Sequence, residues 1–260
     1  KSERLLIFRF LFSKKSDGYV SIFAWFSIIG ISLGVAAIII VMSVMNGFRI
    51  DLTNRIIGLN SHLNIYSFDN EIISKKADEL ILKIDNSLFY QYYKSLETNG
   101  LIIKSNTSKG VMIKGYDDYD KDHYLFNSIK KGTLIKNPKN EILIGDSLAN
   151  EINVNIGDKV KIAIPKTDKT ILGNIPRFKT LEIVGIFDLG LYEYDSNLVF
   201  LSSDLVRKLL LYDNDIYNKI EFFTEFPNNI ESFKNNIELE ILNLQLNFYS
   251  ISWKDINQTL

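Results

Sequence analysis

Two histidines, a pair of closely spaced carboxylates and a proline- and glycine-containing loop are the parts of this 260-residue chain best suited by type to chemistry. His62 and His123 lie far apart with no HExxH or similar frame around either. No metal site is expected, and each reads as an ordinary surface or half-buried histidine. There is no cysteine, so neither a disulfide framework nor a thiolate metal site can form, and thiol usage says nothing about compartment. In the run Tyr192-Glu193-Tyr194-Asp195, strand spacing would place both carboxylates on one face. Acid/base work would also need a histidine or lysine partner, which the run lacks, so a structural role near a turn is expected. The chain has no GxxxxGK[ST] loop to cradle phosphate, no GxSxG elbow and no Rossmann glycine pattern. No catalytic residue, metal or cofactor is expected within it, and any dependence on ATP and Mg must come from a partner.

The elements that would position these residues begin with a membrane segment. Residues 18–48 contain no charged side chain, and 20–45 are dominated by Ile, Val, Ala, Phe, Leu and Met. That predicts a transmembrane helix. About thirty residues at ~1.5 Å each reach ~45 Å against a hydrocarbon core of ~30 Å, so the helix must tilt or project. Ser43, Asn46 and Gly47 dilute the apolar character before Arg49 and Asp51, which favours projection at that end as a stalk. A secretory signal peptide is the competing reading, but the run exceeds a signal h-region and lacks a small-x-small cleavage site. Arg4, Arg9, Lys14 and Lys15 precede the span against Glu3 and Asp17, which places the N-terminus in the cytoplasm. Residues 5–12 read as a short helix in the cytoplasmic interface, or else as an early turn of the span. Gly30 and Gly34 form a GxxxG pair, and Ser43 and Gly47 repeat its spacing, allowing another helix to approach closely.

Beyond the span, composition fits a folded domain, and a formal net charge of −1 offers no basic footprint for nucleic acid. The span is expected to continue helical through 51–57, until Gly58 and Asn60 break it. Strands are predicted at 62–67, 101–104, 111–116, 141–144, 198–201, 219–224 and 246–253. Helices are predicted at 74–84 behind a Ser74 cap, 124–131, 146–152 capped by Asp146, 203–211 and 230–242. The longest hairpin signal pairs 159–164 with 180–187 across a loop containing Pro165, Gly173 and Pro176. The fold class is α+β: an interfacial segment at 1–17, a transmembrane helix with stalk at 18–48, and a two-subdomain mixed α/β domain at 49–260. One subdomain is expected from 62–115 plus 190–253, the other from the insertion at 116–189, which carries the hairpin at 164–187.

The runs Gly30-Ile31-Ser32-Leu33-Gly34-Val35-Ala36-Ala37 and Val41-Met42-Ser43-Val44-Met45-Asn46-Gly47-Phe48 closely resemble the first transmembrane helix of the lipoprotein-releasing (Lol) permease family. Ile171-Leu172-Gly173-Asn174-Ile175-Pro176-Arg177-Phe178, Val184-Gly185-Ile186-Phe187 and Tyr192-Glu193-Tyr194-Asp195 follow in that family's order, and Ser252-Trp253-Lys254-Asp255 resembles its lead into a second span. The resemblance implies a MacB-like periplasmic core and three further spans after this chain's last residue. It also implies a non-catalytic permease in a Gram-negative inner membrane, which extracts triacylated lipoproteins and hands them to a periplasmic carrier. Its implied partners are a second permease subunit, as homo- or heterodimer, a cytoplasmic ABC ATPase dimer, the carrier and membrane lipid.

In that family a protruding hairpin, the Hook, captures the carrier, and its positional match is Ile171, Leu172, Ile175, Pro176, Arg177 and Phe178. These apolar side chains either crown the hairpin or fold back into the insertion's core. Trp25, Ile29, Leu33, Val41 and Met45 are the candidates for lining a lipid cavity. MacB-like efflux permeases and FtsX-like regulators of cell-wall hydrolases share this outer architecture and remain rivals, as does a single-span anchored binding module.

Overall fold

The computed structural model describes residues 18–59, 61–119, 123–170 and 173–256. The interfacial segment expected at 5–12 lies outside the described residues. The chain divides into two units, Lys1–Asn54 and Arg55–Leu260.

The first unit is the helix α1, Gly18–Leu59, whose last turn belongs to the second unit. Its apolar residues surround the axis with no polar stripe, which is what a helix solvated by lipid rather than by a protein core requires. It runs two residues past the expected stop at Ile57, through Gly58, and ends at Leu59.

The second unit has two parts joined by one strand. The first is an antiparallel sheet in the order β12 (Phe248–Ser252), β1 (Leu63–Ser67), β11 (Lys219–Phe223), β3 (Gln91–Lys104). One face buries Leu63, Ile65, Ile220 and Phe222 against helices α2 (Ser74–Ile81) and α6 (Ile230–Asn243). The period of two along each strand produces that face, and α6 answers it with Ile230, Phe233, Ile237 and Ile241 at helical spacing. A short pair, β2 (Ile72–Ile73) with β10 (Ile216–Tyr217), lies beside it.

The second part is a closed six-stranded barrel. β3 pairs with β4 (Thr107–Tyr116), which runs parallel to β9 (Leu198–Ser202), and β9 pairs with β6 (Glu141–Gly145). β6 runs parallel to β8 (Gly173–Phe187), β8 pairs with β7 (Lys159–Thr170), and β7 returns to β3 at residues 101–103. Leu96, Ile102, Ile113, Ile144, Ile162, Ile183 and Val199 fill it, and α5 (Ser203–Leu210) packs on with Leu205, Val206 and Leu209. Closure leaves the barrel strands without a free edge. β5 (Ile129–Gly132) adds to β8 outside the ring.

Several elements differ from the sequence reading. Residues 91–100 are strand although Lys94 and Glu97 interrupt the apolar pattern, because both find partners from distant segments. Since β3 belongs to the sheet over its first residues and to the barrel over the rest, the barrel takes β4 and β9 as well as the insertion at 116–189. The helix expected over 124–131 is a single 3₁₀ turn, Phe126–Ser128, followed by β5. Ser74 is not a cap: Ile73 holds that position, and the Ser74 hydroxyl accepts from Lys94 Nζ at 2.8 Å. Asp146 likewise opens α3 (Asp146–Glu151) behind an uncapped Gly145 and pairs with Lys130 at 2.8 Å. The run 192–195 is not strand but the start of α4 (Tyr192–Asn197). Trp253 closes no strand and instead opens α7 (Trp253–Ile256).

Gly145 is where α4 crosses β6: a Cβ there would overlap the Asp195 carbonyl and Cα. Substituting alanine forces the two backbones apart, so Gly145→Ala should lower stability by about 1–3 kcal/mol. The urea midpoint of the detergent-solubilised chain checks this, and an unchanged midpoint would contradict the close approach.

Candidate functional sites: the apolar helix, the hairpin and a buried charge cluster

On α1 the five residues proposed to line a cavity are all exposed, from 45 % at Trp25 to 66 % at Leu33. At about 100° per residue, Trp25, Ile29 and Leu33 drift slowly around the axis, while Met45 lies roughly 200° from Trp25. A straight helix therefore splits the five between two faces: Trp25, Ile29 and Leu33 on one, Val41 and Met45 on the other. The pairs Gly30/Gly34 and Ser43/Gly47 are offset by roughly 220° in the same way. A Cβ added at Gly30, Gly34 or Gly47 would meet nothing within 4 Å, so both small-residue patches are open.

The hairpin β7–β8 is longer than its sequence signal. Pairing continues past Ile164↔Arg177 to Thr170↔Gly173, with an irregularity between Ile164 and Thr167. Six further residues of β7 and four of β8 carry it through four added pairs, an extension of roughly 13 Å. Ile171 and Leu172 lie outside the described residues, and Ile175 and Pro176 take strand positions opposite Asp168 and Thr167. Arg177 and Phe178 stand at the base of the hairpin and not at its far end. The Arg177 guanidinium donates to the Lys208 carbonyl on α5 at 2.9 Å. Phe178 is half exposed, with the Lys161 ammonium 5.7 Å from its ring centre.

Where β3 passes from sheet to barrel, four charged side chains meet: Lys114, Lys219 and Glu221 are buried and Glu97 is a quarter exposed. Glu221 is 1 % exposed; its Oε1 lies 2.9 Å from Lys219 Nζ and 3.1 Å from Lys114 Nζ. Tyr116 OH donates to Oε2 at 2.5 Å, and Lys219 also reaches Glu97 at 3.0 Å. The pairing puts them together: Lys219 and Glu221 stand opposite Ser95 and Tyr93 of β3, and Lys114 stands opposite Glu97. Burial alone would raise the Glu221 pKa, but Lys114 and Lys219 outweigh it and hold the carboxyl well below its ordinary 4.5. Burial works against the Lys219 ammonium too, and Glu221 with Glu97 overcomes it, holding that pKa above the usual lysine value. Burial next to Glu221 pushes the Tyr116 phenol up and keeps it a donor. Two positive and two negative charges cancel, which is the condition for such a group to lie inside a protein.

Both histidines are buried, deeper than the surface or half-buried positions expected of them. His123 packs among Tyr93, Tyr116, Tyr119 and Tyr124 at centroid distances of 4.7–5.0 Å, stacked on Tyr124 alone. His62 bridges two backbone groups, the Ile57 carbonyl and the Thr224 amide. Glu193 and Asp195 do not share a face, because α4 is helical there: Glu193 is exposed, while buried Asp195 accepts from the Leu189 amide at 2.8 Å. Burial raises the Asp195 pKa against the pull of that amide. Sequence reasoning missed the charge cluster altogether, since Glu97 and Glu221 are joined only by strand pairing.

A family model described as the MacB-like periplasmic core domain matches residues 24–238. The lipoprotein-releasing system transmembrane protein LolC of Xylella fastidiosa (strain 9a5c) is 26 % identical over 209 residues, 79 % of this chain and 50 % of that protein. LolC of Buchnera aphidicola subsp. Schizaphis graminum is 26 % identical over 259 residues, 95 % of this chain and 60 % of the relative. The chain thus spans about half the length of such relatives. The crystal structure of the periplasmic region of MacB from Actinobacillus actinomycetemcomitans covers 79 % of this chain and 94 % of its own with a TM-score of 0.51 at 16 % identity, a likeness of fold.

Glu221→Gln leaves two buried lysines undercompensated and should cost about 3–5 kcal/mol. Pairing it with Lys219→Met restores neutrality, so the double variant should lose at least ~1 kcal/mol less than the summed singles. Because the folded pKa of Glu221 is depressed, its contribution is present above the ordinary 4.5 and fades as pH falls toward the folded value. Urea unfolding across pH reads both effects. Strictly additive singles, or an acid limb unchanged in Glu221→Gln, would contradict the cluster.

Proposed function

Because the chain belongs to the family of MacB-like periplasmic core domains, we propose that it is the span and outer domain of an ABC permease of the Lol, MacB and FtsX type. In this reading it draws triacylated lipoproteins from the outer leaflet of the inner membrane and passes them to a periplasmic carrier. ATP and Mg are used by a cytoplasmic ATPase dimer, and a second permease subunit completes the assembly.

The observation that carries the reading is the chain order: an apolar helix open on all sides, then a barrel with a long projecting hairpin. Arg4, Arg9, Lys14 and Lys15 ahead of the span favour a cytoplasmic N-terminus and a periplasmic domain. The lipoprotein branch is favoured over efflux by the curated relatives, which carry lipoprotein-releasing names. Lipoprotein extraction has a clear energetic demand. Each acyl methylene leaving lipid for water costs about 0.8 kcal/mol, so several chains need coupled ATP work and a sheltered apolar route. α1 offers apolar surface on every side for such a route, and its small-residue patches suit close approach by neighbouring helices. The hairpin extends roughly 13 Å past its Ile164↔Arg177 pair, a projection suited to engaging a soluble carrier.

The test is co-purification of the full-length gene product in lipid nanodiscs with an ABC ATPase and a periplasmic lipoprotein carrier. Both should be recovered with the wild type, and Phe178→Glu should lower carrier capture by about tenfold while leaving ATPase recovery unchanged. Recovery of neither partner would overturn the permease reading, and unchanged capture by Phe178→Glu would remove the hairpin base from carrier binding.

A further inference from the structure

His62 is a buried ionisable residue for which lipoprotein transport has no use. Its backbone amide donates to the Phe222 carbonyl at 2.8 Å, and its own carbonyl accepts from the Trp253 amide at 3.0 Å. Its ring makes two further contacts: Nε2 lies 2.9 Å from the Ile57 carbonyl and Nδ1 lies 2.9 Å from the Thr224 amide nitrogen. One residue thereby gathers the last turn of α1, the end of β11 and the first residue of α7. The Ile57 side chain packs on the sheet's core, which fixes the same turn from its apolar side.

The two ring contacts are of opposite kind. A carbonyl can only accept and a backbone amide can only donate, so the ring must carry its hydrogen on Nε2 and a lone pair on Nδ1. That is the neutral form, in a single tautomer. An imidazolium would set an N–H at Nδ1 against the N–H of Thr224, and the contact would have to open. Burial opposes the charged form as well and, against the Ile57 carbonyl that favours it, lowers the pKa from 6.5. The charged groups on the adjoining segments are engaged elsewhere. Asp255 holds Lys234 and the Ser252 amide, Lys254 donates to the Asn228 carbonyl, and Glu225 acts on Tyr90. None of the three is among the groups that shift His62.

We propose that His62 is a proton-operated latch: neutral, it fastens the turn arriving from the membrane span to the sheet, and protonation outside the cell membrane releases it. The direction follows from linkage. A depressed folded pKa gives stability that is complete above the unfolded value of 6.5 and is lost as pH falls through the lowered folded value. The latch holds whatever the cargo, so its failure and the failure of the transporter reading are separate results.

Hydrogen exchange of the full chain in nanodiscs, corrected for intrinsic rates, tests it between about pH 7.5 and about pH 5. Peptides covering 53–62 and 222–226 should exchange about tenfold faster at the lower pH in the wild type. His62→Gln keeps a donor and an acceptor but takes no proton, so its exchange should not respond to pH. A flat wild-type profile, or the same rise in His62→Gln, overturns the proposal. Should the variant fail to fold, ring ¹⁵N shifts of the wild type decide, with His123 assigned by substitution. Nδ1 should appear unprotonated at neutral pH, and an Nδ1–H tautomer overturns the latch.

Discussion

A helix that exposes nearly every apolar side chain from Ile22 to Ile50 cannot stay in water, and the rest of the molecule is arranged by that constraint. Phe23, Phe26, Ile31, Leu33 and Met42 are each more than 60 % exposed, and leaving such a surface hydrated would cost on the order of 20–40 kcal/mol. That exceeds the whole stability of an ordinary domain. Lipid is the solvent that removes the cost, and a helix is the backbone form that satisfies its own hydrogen bonds there. The barrel and sheet are then built from a chain that must begin at the end of a membrane helix, at Leu59, with β1 starting only four residues later.

Within the outer unit a single strand does the joining. β3 contributes residues 91–95 to the sheet and residues 96–104 to the barrel, and the cluster of Glu97, Lys114, Lys219 and Glu221 sits where one pairing gives way to the other. Asn218 adds a backbone clamp at the same place, accepting from the Glu97 amide at 2.8 Å and donating to its carbonyl at 2.7 Å. A shift of register by one residue would turn Glu97 to the opposite face and strand the buried lysines. Charge pairing here fixes alignment more than it adds stability.

The span and the hairpin were legible because each rests on a local pattern: an unbroken apolar run for one, alternation over 159–164 and 180–187 for the other. The first half of β3 was not, since Lys94 and Glu97 look like surface residues until Asp78, Lys219 and Lys114 are brought to them by the fold. In Tyr192-Glu193-Tyr194-Asp195, strand spacing was expected to place both carboxylates on one face near a turn. The Leu191 carbonyl, which accepts from both the Tyr194 and Asp195 amides, starts a helix there instead, and burial of Asp195 holds it. Phe178 illustrates the limit of placing residues by loop position alone: the apolar segment it closes was expected at the far end of the hairpin, and pairing to Thr170↔Gly173 moves it to the base. His62 gave no sequence signal, its second partner Thr224 lying 162 residues away.

The account turns on which side of the bilayer receives the outer unit. The chain has no cysteine of its own, so single cysteines placed at the exposed residues Glu151 and Lys83 report without background. In intact cells a membrane-impermeant maleimide should label both positions, while a cysteine at Lys14, ahead of the span, should react only after the inner membrane is opened. Labelling of Lys14 from outside, with Glu151 and Lys83 protected until lysis, would place the barrel in the cytoplasm and contradict the permease reading.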